Sequence, residues 1–178
     1  MGTIDLTKET QMGQILEAYP SARRALFQKF HIGGCSSCGY ADTDTLGTVC
    51  LNHNISNVDQ VVEHILNSHE ADQKVQISAR DAAALLKENP NAKLVDVRTS
   101  EEYQAAHIEG ALLVDSDEKV QAIMTLPKDT PIVVHCHHGM RSLDAASYLI
   151  GHGFTNVKSM TGGIDAWSVD VDPGIPRY

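Results

Sequence analysis

The chain has 178 residues, 14 Lys and Arg against 23 Asp and Glu, and a formal net charge of -9. That length holds one α/β domain of ordinary size plus a small helical module. Both halves are acidic and neither has a basic patch to neutralise a phosphate backbone or an anionic membrane surface, so nucleic acid is excluded as the expected partner.

The opening MGTIDLTKET is polar, with no apolar run behind it, and no stretch has the length to cross a bilayer. No membrane association and a cytoplasmic location are expected. Leu6 stands where a myristoylation motif beginning at Gly2 needs Ser or Thr. In a reducing compartment, 4 cysteines read as catalytic, redox or metal-binding before they read as a disulfide framework.

Met12, Ile15, Leu16 and Tyr19 follow the spacing of a helix with one apolar face, ended by Pro20. Ser21 is expected to cap a second helix striped by Ala22, Leu26 and Phe30, which Gly33 and Gly34 stop. Leu46, Val49 and Cys50 mark a short third helix. A fourth runs through Val58, Val61, Val62, Ile65 and Leu66 behind Ser56 or Asn57. Residues 1–68 thus form a small all-α domain, and the polar, aperiodic NSHEADQK supports a linker over 69–75.

From 76 to 178 the pattern changes. Short apolar runs at 75–77, 94–97, 111–114, 132–134 and 157–159 read as buried strands. Helical segments lie at 79–87 behind Ser78, at 119–125 and at 141–150. Continuous apolar strands alternating with helices predict an α/β domain, a parallel sheet covered on both faces.

The segment PIVVHCHHGMRSLDAASYLIGHGF sets Cys136 just after a buried strand and just before a helix beginning near Arg141. A loop wrapping from strand end to helix start turns backbone N–H groups inward, and the helix dipole adds positive character there. A thiol in such a cradle, with Arg141 nearby, is expected as the thiolate, the form that attacks sulfur. Gly139 lets the loop close. A bland reading of Cys136 is a buried core thiol. His135, His137 and His138 crowd the same place, but one Cys and adjacent His residues on a tight loop cannot all aim at one metal ion. His137 and His138 are expected to line the pocket mouth.

The segment LVDVRTSEEYQAAHIEGALLVD, followed by HCHHGMRS and then MTGGIDAW, resembles the rhodanese family over the carboxy-terminal part of the chain. The resemblance implies a five-stranded parallel sheet with helices on both faces and a cycle in which Cys136 takes sulfane sulfur from a donor and passes it on. It implies that loop groups from His137, His138, Gly139, Met140 and Ser142 hold the persulfide, and that Arg141 steers a small anionic donor such as thiosulfate. Asp96, Arg98, Glu102 and His107 fall on family positions that order the loops, and Trp167 packs the pocket wall. Ala106 stands where the family usually has glycine. The tail VDPGIPRY looks like the ending of rhodanese domains fused to activating enzymes of cofactor biosynthesis, which hints at a protein acceptor. Tyrosine-type phosphatases share a Cys-to-Arg anion loop, but with one residue more between the two, so phosphatase or arsenate reductase remains a minor alternative.

Three readings compete for the amino-terminal cysteines. Cys35 and Cys38 form a C-S-S-C pair that can close a small disulfide. Cys35, Cys38, Cys50 and His53 also have plausible spacing for a zinc or iron–sulfur centre. Alternatively, Cys50 is a core residue and His53 lies at the surface. YPSARRALFQKFHIGGCSSC resembles the small helical domain associated with redox disulfides in hybrid-cluster-type proteins, which favours Cys35 and Cys38 as a thiol pair. The leading expectation is a sulfurtransferase that needs no cofactor, with a thiol or a sulfur-acceptor protein as partner. The alternative of another class is a non-catalytic redox-sensing or metal-sensing module.

Overall fold

The computed structural model describes residues 4–33 and 39–178. The chain divides into two compact units, Met1–Lys74 and Val75–Tyr178.

The first unit is built from α1 (Met12–Ala18), α2 (Ala22–Phe30), α3 (Leu46–Asn52) and α4 (Val58–Val75). Its core gathers the apolar stripes read from the sequence, with Met12, Ile15, Leu26, Leu46, Val61 and Ile65 buried together. Cys50 belongs to that core, and burial pushes its thiol up. The His53 ring binds the Val49 carbonyl at 2.8 Å. Among the described residues no group of His, Cys, Asp or Glu is arranged to hold a metal ion. Cys35 and Cys38 lie outside the described residues.

One local expectation fails for an identifiable reason. Ser21 does not cap α2: the Ala22 amide already bonds the Tyr19 carbonyl, so Ser21 is helical rather than extended, and its hydroxyl makes no cap bond. The cap of α4 is Asn57, whose Oδ1 accepts from the Gln60 amide at 3.2 Å. The polar stretch is helical, with α4 continuing through it to Val75. Two contacts hold it there: Gln73 bonds His69 one turn back at 2.9 Å, and buried Asp72 pairs with Arg24.

The second unit is a five-stranded sheet, β1 (Gln76–Ile77), β2 (Lys93–Asp96), β3 (Leu112–Leu113), β4 (Ile132–His135) and β5 (Val157–Met160), in the order β1-β5-β4-β2-β3. Every pairing is parallel. Helices α5 (Ala79–Glu88), α6 (Ser100–Ala105), α7 (Asp117–Met124), α8 (Met140–Gly151) and α9 (Gly163–Asp170) connect and cover it. Successive strand residues face opposite sides. Leu94, Val133 and Met160 pack one face with Ala82, Ile164 and Trp167. Val95, Ile132, Val134 and Val157 pack the other with Ile123 and Leu149. This is the expected two-faced sheet.

Periodicity marks neither α6 nor α9. The α6 helix buries none of its residues, though Thr99 and Glu102 form a reciprocal capping box at its start. From β2 the chain moves outward to β3, then crosses back to β4 and outward to β5. The order therefore reverses between β2 and β4, and ligands of open α/β sheets bind at the carboxyl ends of strands at such a point.

Candidate active site

Cys136 follows β4 directly at that reversal and is 2% exposed. Its loop closes within a few residues because Gly139, the residue before α8, takes φ +96°, where side chains are rarely tolerated. A Cβ on Gly139 would also crowd the Gly162 amide at 3.0 Å and the Met160 carbonyl at 3.2 Å. The turn aims the Gly139 N–H at Cys136 Sγ, 3.1 Å away. On its other side the sulfur lies 3.7 Å from Ser142 Oγ. That hydroxyl donates to the Gly139 carbonyl at 3.1 Å and shares a 2.9 Å hydrogen bond with Ser159 on β5. Both serines are buried, so the sulfur rests between a backbone amide and a pair of enclosed hydroxyls.

The start of α9 clamps this loop from above. The Ile164 amide donates to the Cys136 carbonyl at 2.9 Å and the Asp165 amide to the His137 carbonyl at 3.3 Å. So close an approach of two backbones requires Gly163, since a Cβ there would overlap the carbonyl oxygens of Cys136 and His137.

Beneath the loop lies a charged layer. Asp96 at the end of β2 pairs in register with His135 at the end of β4. Arg98 Nε reaches Asp96 Oδ1 and Oδ2 at 2.9 and 3.0 Å, and its Nη2 reaches Oδ2 at 2.6 Å; the pair is fully buried. The remaining Arg98 donors bind the Ala106 carbonyl at 2.8 Å and the Tyr178 hydroxyl, satisfying the guanidinium and tying two loops together. His135 is buried beside them, and burial pushes its imidazole down to about 4, with the Arg98 charge also lowering it and Asp96 opposing. Its Nε2 stands 3.6 Å from Asp96 Oδ2 and has no hydrogen-bond partner among the described residues.

At the surface Arg141 gives Nη1 and Nη2 to the two carboxylate oxygens of Glu102 at 2.7 and 2.6 Å. This fork holds the Glu102 carboxyl down at about 2, and Arg141 is raised by Glu102, with a smaller contribution from Cys136. His137 stacks against His138 at 4.1 Å and meets the Tyr178 ring at 4.5 Å. Burial pushes the His137 imidazole down, as does the neighbouring His138. Met140 is exposed at the rim. His107 stacks on Tyr103 and its Nδ1–H donates to the Tyr103 carbonyl, at the carboxyl end of α6 and on the surface.

The structure thus brings Cys136, Gly139 and Ser142 into direct contact, joins Arg141 to Glu102, joins Asp96 to Arg98, and leaves His107 with Tyr103. Sequence reasoning passed over Ser159, Gly163 and Tyr178, and treated His135 only as a discarded metal ligand. The paired glycines of MTGGIDAW were the available signal for Gly163; nothing local marks the others.

A thiol at the strand reversal of a doubly covered parallel sheet, cradled by a tight strand-to-helix loop, defines an anion-loop cysteine protein of the α/β class. Residues 78–170 match the family described as a rhodanese-like domain, and the chain belongs to that family. Thiosulfate sulfurtransferase GlpE of Pseudomonas entomophila is 41% identical over 92 residues, which are 52% of this chain and 83% of that protein. Adenylyltransferase and sulfurtransferase UBA4 of Candida albicans is 39% identical over 115 residues, 60% of this chain but 26% of that protein's length. Among solved structures, reduced CoADR-RHD of Bacillus anthracis aligns with 92% of this chain and 27% of its own at a TM-score of 0.53 and 20% identity, a likeness of fold alone.

Proposed function

We propose that the protein is a sulfurtransferase that moves sulfane sulfur from a donor such as thiosulfate to a thiol or a sulfur-acceptor protein through a persulfide on Cys136. The observation that carries this reading is the surround of Cys136 Sγ: the Gly139 amide at 3.1 Å and the Ser142 hydroxyl at 3.7 Å, in an otherwise buried position. The Gly139 N–H, fixed toward the sulfur before reaction, stabilises negative charge on it without reorganising. It favours the attacking thiolate and then the terminal sulfur of the persulfide. Arg141 lies close enough to Cys136 to add to that field and keeps its place through Glu102. Asp96 and Arg98 hold the strand end and the loops on which the site is built. The sulfurtransferase names of the similar proteins support the same activity.

The cycle has two displacements. The Cys136 thiolate attacks the sulfane sulfur of the donor, the donor's bond to that sulfur breaks, and its electron pair leaves with the departing group. The acceptor thiolate then attacks the outer sulfur of the persulfide and Cys136 departs as thiolate. Turnover of thiosulfate, or of a small organic persulfide, with a thiol acceptor tests this. Sulfide release should be abolished in Cys136→Ser, and equal release by that variant would overturn the proposal.

The amino-terminal unit, by the resemblance of its sequence to a redox-disulfide domain, is proposed to carry Cys35 and Cys38 as a thiol pair that receives sulfur from Cys136 or resolves its persulfide. Replacing both cysteines should slow discharge of the persulfide. Unchanged transfer to an external thiol would argue against that role.

A further inference from the structure

The segment that follows α9 returns to the Cys136 loop. Pro173 and Pro176 cannot extend the helix. Asp172 turns the chain instead: its Oδ1 accepts from the Gly174 amide at 3.0 Å and its carbonyl from the Ile175 amide at 3.1 Å. Ile175 then packs, half-buried, on the core face that holds Trp167. Arg177 comes back to the first turn of α9, where its Nε and Nη2 reach the Asp165 carboxylate at 2.6 and 3.0 Å. Asp165 also gives its amide to the His137 carbonyl, so the returning segment is pinned to a residue that clamps the loop.

Tyr178 makes two contacts of different kinds. Its hydroxyl accepts from Arg98 Nη1, whose other partner among the described residues is the Glu102 carbonyl at 3.4 Å, a long bond. The hydroxyl therefore completes the partners of a buried guanidinium, and a buried donor left unpaired is costly. The ring meets the His137 imidazole with centroids 4.5 Å apart and planes at 58°, within the range of a favourable aromatic pair. His137 also touches the His138 ring, so the side chain next to the nucleophile rests against two others. Tyr178 is 53% exposed, and a ring left half in water gains little from core burial. Its contacts run to the charged layer beneath Cys136 and to the loop beside it.

We propose that Tyr178 is a positioning residue for sulfur transfer: its ring holds His137, and with it the Cys136 loop, in the attacking arrangement. The proposal rests on the sulfurtransferase reading above and adds a residue that acts through His137. Misplacement of a reacting group by about 1 Å can cost up to about a hundredfold in rate. Hydroxyl and ring have separable roles. The hydroxyl serves stability through Arg98, and the ring serves rate through His137.

The test follows formation of the Cys136 persulfide from thiosulfate in single turnover, by rapid quench and peptide mass, in the full chain. Tyr178→Ala should load Cys136 about tenfold more slowly at saturating donor. Its half-saturating thiosulfate concentration should stay within about twofold, because Arg141 keeps its place through Glu102. Tyr178→Phe loses the hydroxyl alone; it should lower the urea midpoint yet restore loading to within about twofold of the unmodified chain. The His137 ring protons, shifted in the NMR spectrum by the Tyr178 ring current, should move in Tyr178→Ala and hold in Tyr178→Phe. A folded Tyr178→Ala that loads Cys136 at the unmodified rate or faster would overturn the proposal, and so would a Tyr178→Phe as slow as Tyr178→Ala. Should Tyr178→Ala fail to fold, Tyr178→Leu, which keeps apolar bulk without an aromatic ring, takes its place under the same expectations. Loading that is indifferent to residue 178 would overturn this proposal alone; no loading in the unmodified chain would overturn the sulfurtransferase reading with it.

Discussion

Gly163→Ala isolates the clamp that α9 places on the Cys136 loop. The residue has φ +57°, and its new Cβ would overlap the carbonyl oxygens of Cys136 and His137, both backbone atoms that cannot swing aside. The left-handed conformation costs a non-glycine residue roughly 1–2 kcal/mol. Forcing atoms into a packed site typically adds about 1–3 kcal/mol. The variant should therefore lose about 2–5 kcal/mol, on the order of 1–3 M in urea midpoint with an ordinary slope. Two neighbouring substitutions separate the contributions. Gly110 has φ +79° with nothing within 4 Å, so Gly110→Ala meets the conformational cost alone. Gly151, the last residue of α8, also has open space around it and no positive φ, so Gly151→Ala should stabilise by a few tenths up to about 1 kcal/mol. Urea titrations followed by far-UV circular dichroism, with sulfur-transfer rates alongside, provide the assay. If Gly163→Ala unfolds at the same midpoint as Gly110→Ala and keeps full turnover, the clamp is not what holds the loop.

Four further outcomes are expected. Arg98→Ala leaves Asp96 buried without its partner and should cost about 3–5 kcal/mol by chemical denaturation; a loss under 1 kcal/mol would show that the pair relaxes into water. His135 has its folded-state value pushed down to about 4 from 6.5, so its stabilising contribution is complete above 6.5 and falls away as pH drops from 6.5 towards 4, where only the unfolded chain takes the proton. The shift corresponds to about 3 kcal/mol, so urea midpoints should fall across that window and do so less steeply in His135→Gln. For Glu102, held at about 2 against 4.5, the sign leads to loss of the Arg141 pair only as pH falls from 4.5 towards 2, and Glu102→Gln should flatten that limb alone. Ser159→Ala removes one partner of the Ser142 hydroxyl at a cost of about 1 kcal/mol, and it should shorten the lifetime of a Cys136 persulfide measured by cold-thiol chase. An unchanged lifetime would separate Ser159 from the site.

The sheet was readable because its strands are buried on both faces and so are continuous apolar runs, as at β4, where Ile132, Val133 and Val134 are all buried. Cys136 was readable because its loop joins such a strand to a helix with a recognisable apolar stripe. Short elements were not. The α6 helix buries nothing, so it has no period to detect, and its capping box at Thr99 and Glu102 was its sole local trace; α9 begins in paired glycines that read as a turn. The helical state of the polar stretch was not readable because polarity hid a tertiary contact, the pairing of Asp72 with Arg24 from a helix far away in the chain. The same limit applies at the site. Ser142 meets Ser159 across 17 residues and Arg141 meets Glu102 across 39, and neither meeting leaves a mark in local sequence. Arg141 was expected to steer the donor, and its pairing with Glu102 lay outside that expectation.

The proposed reaction turns on sulfur bound covalently at one atom. Intact mass spectrometry of the full chain, before and after incubation with a sulfane-sulfur donor and alongside Cys136→Ser, measures that directly. One added sulfur, located by peptide mapping to Cys136, removed by a thiol acceptor and missing from the variant, is the predicted result. An unmodified mass with both thiosulfate and an organic persulfide, or an adduct that persists in Cys136→Ser, would contradict it.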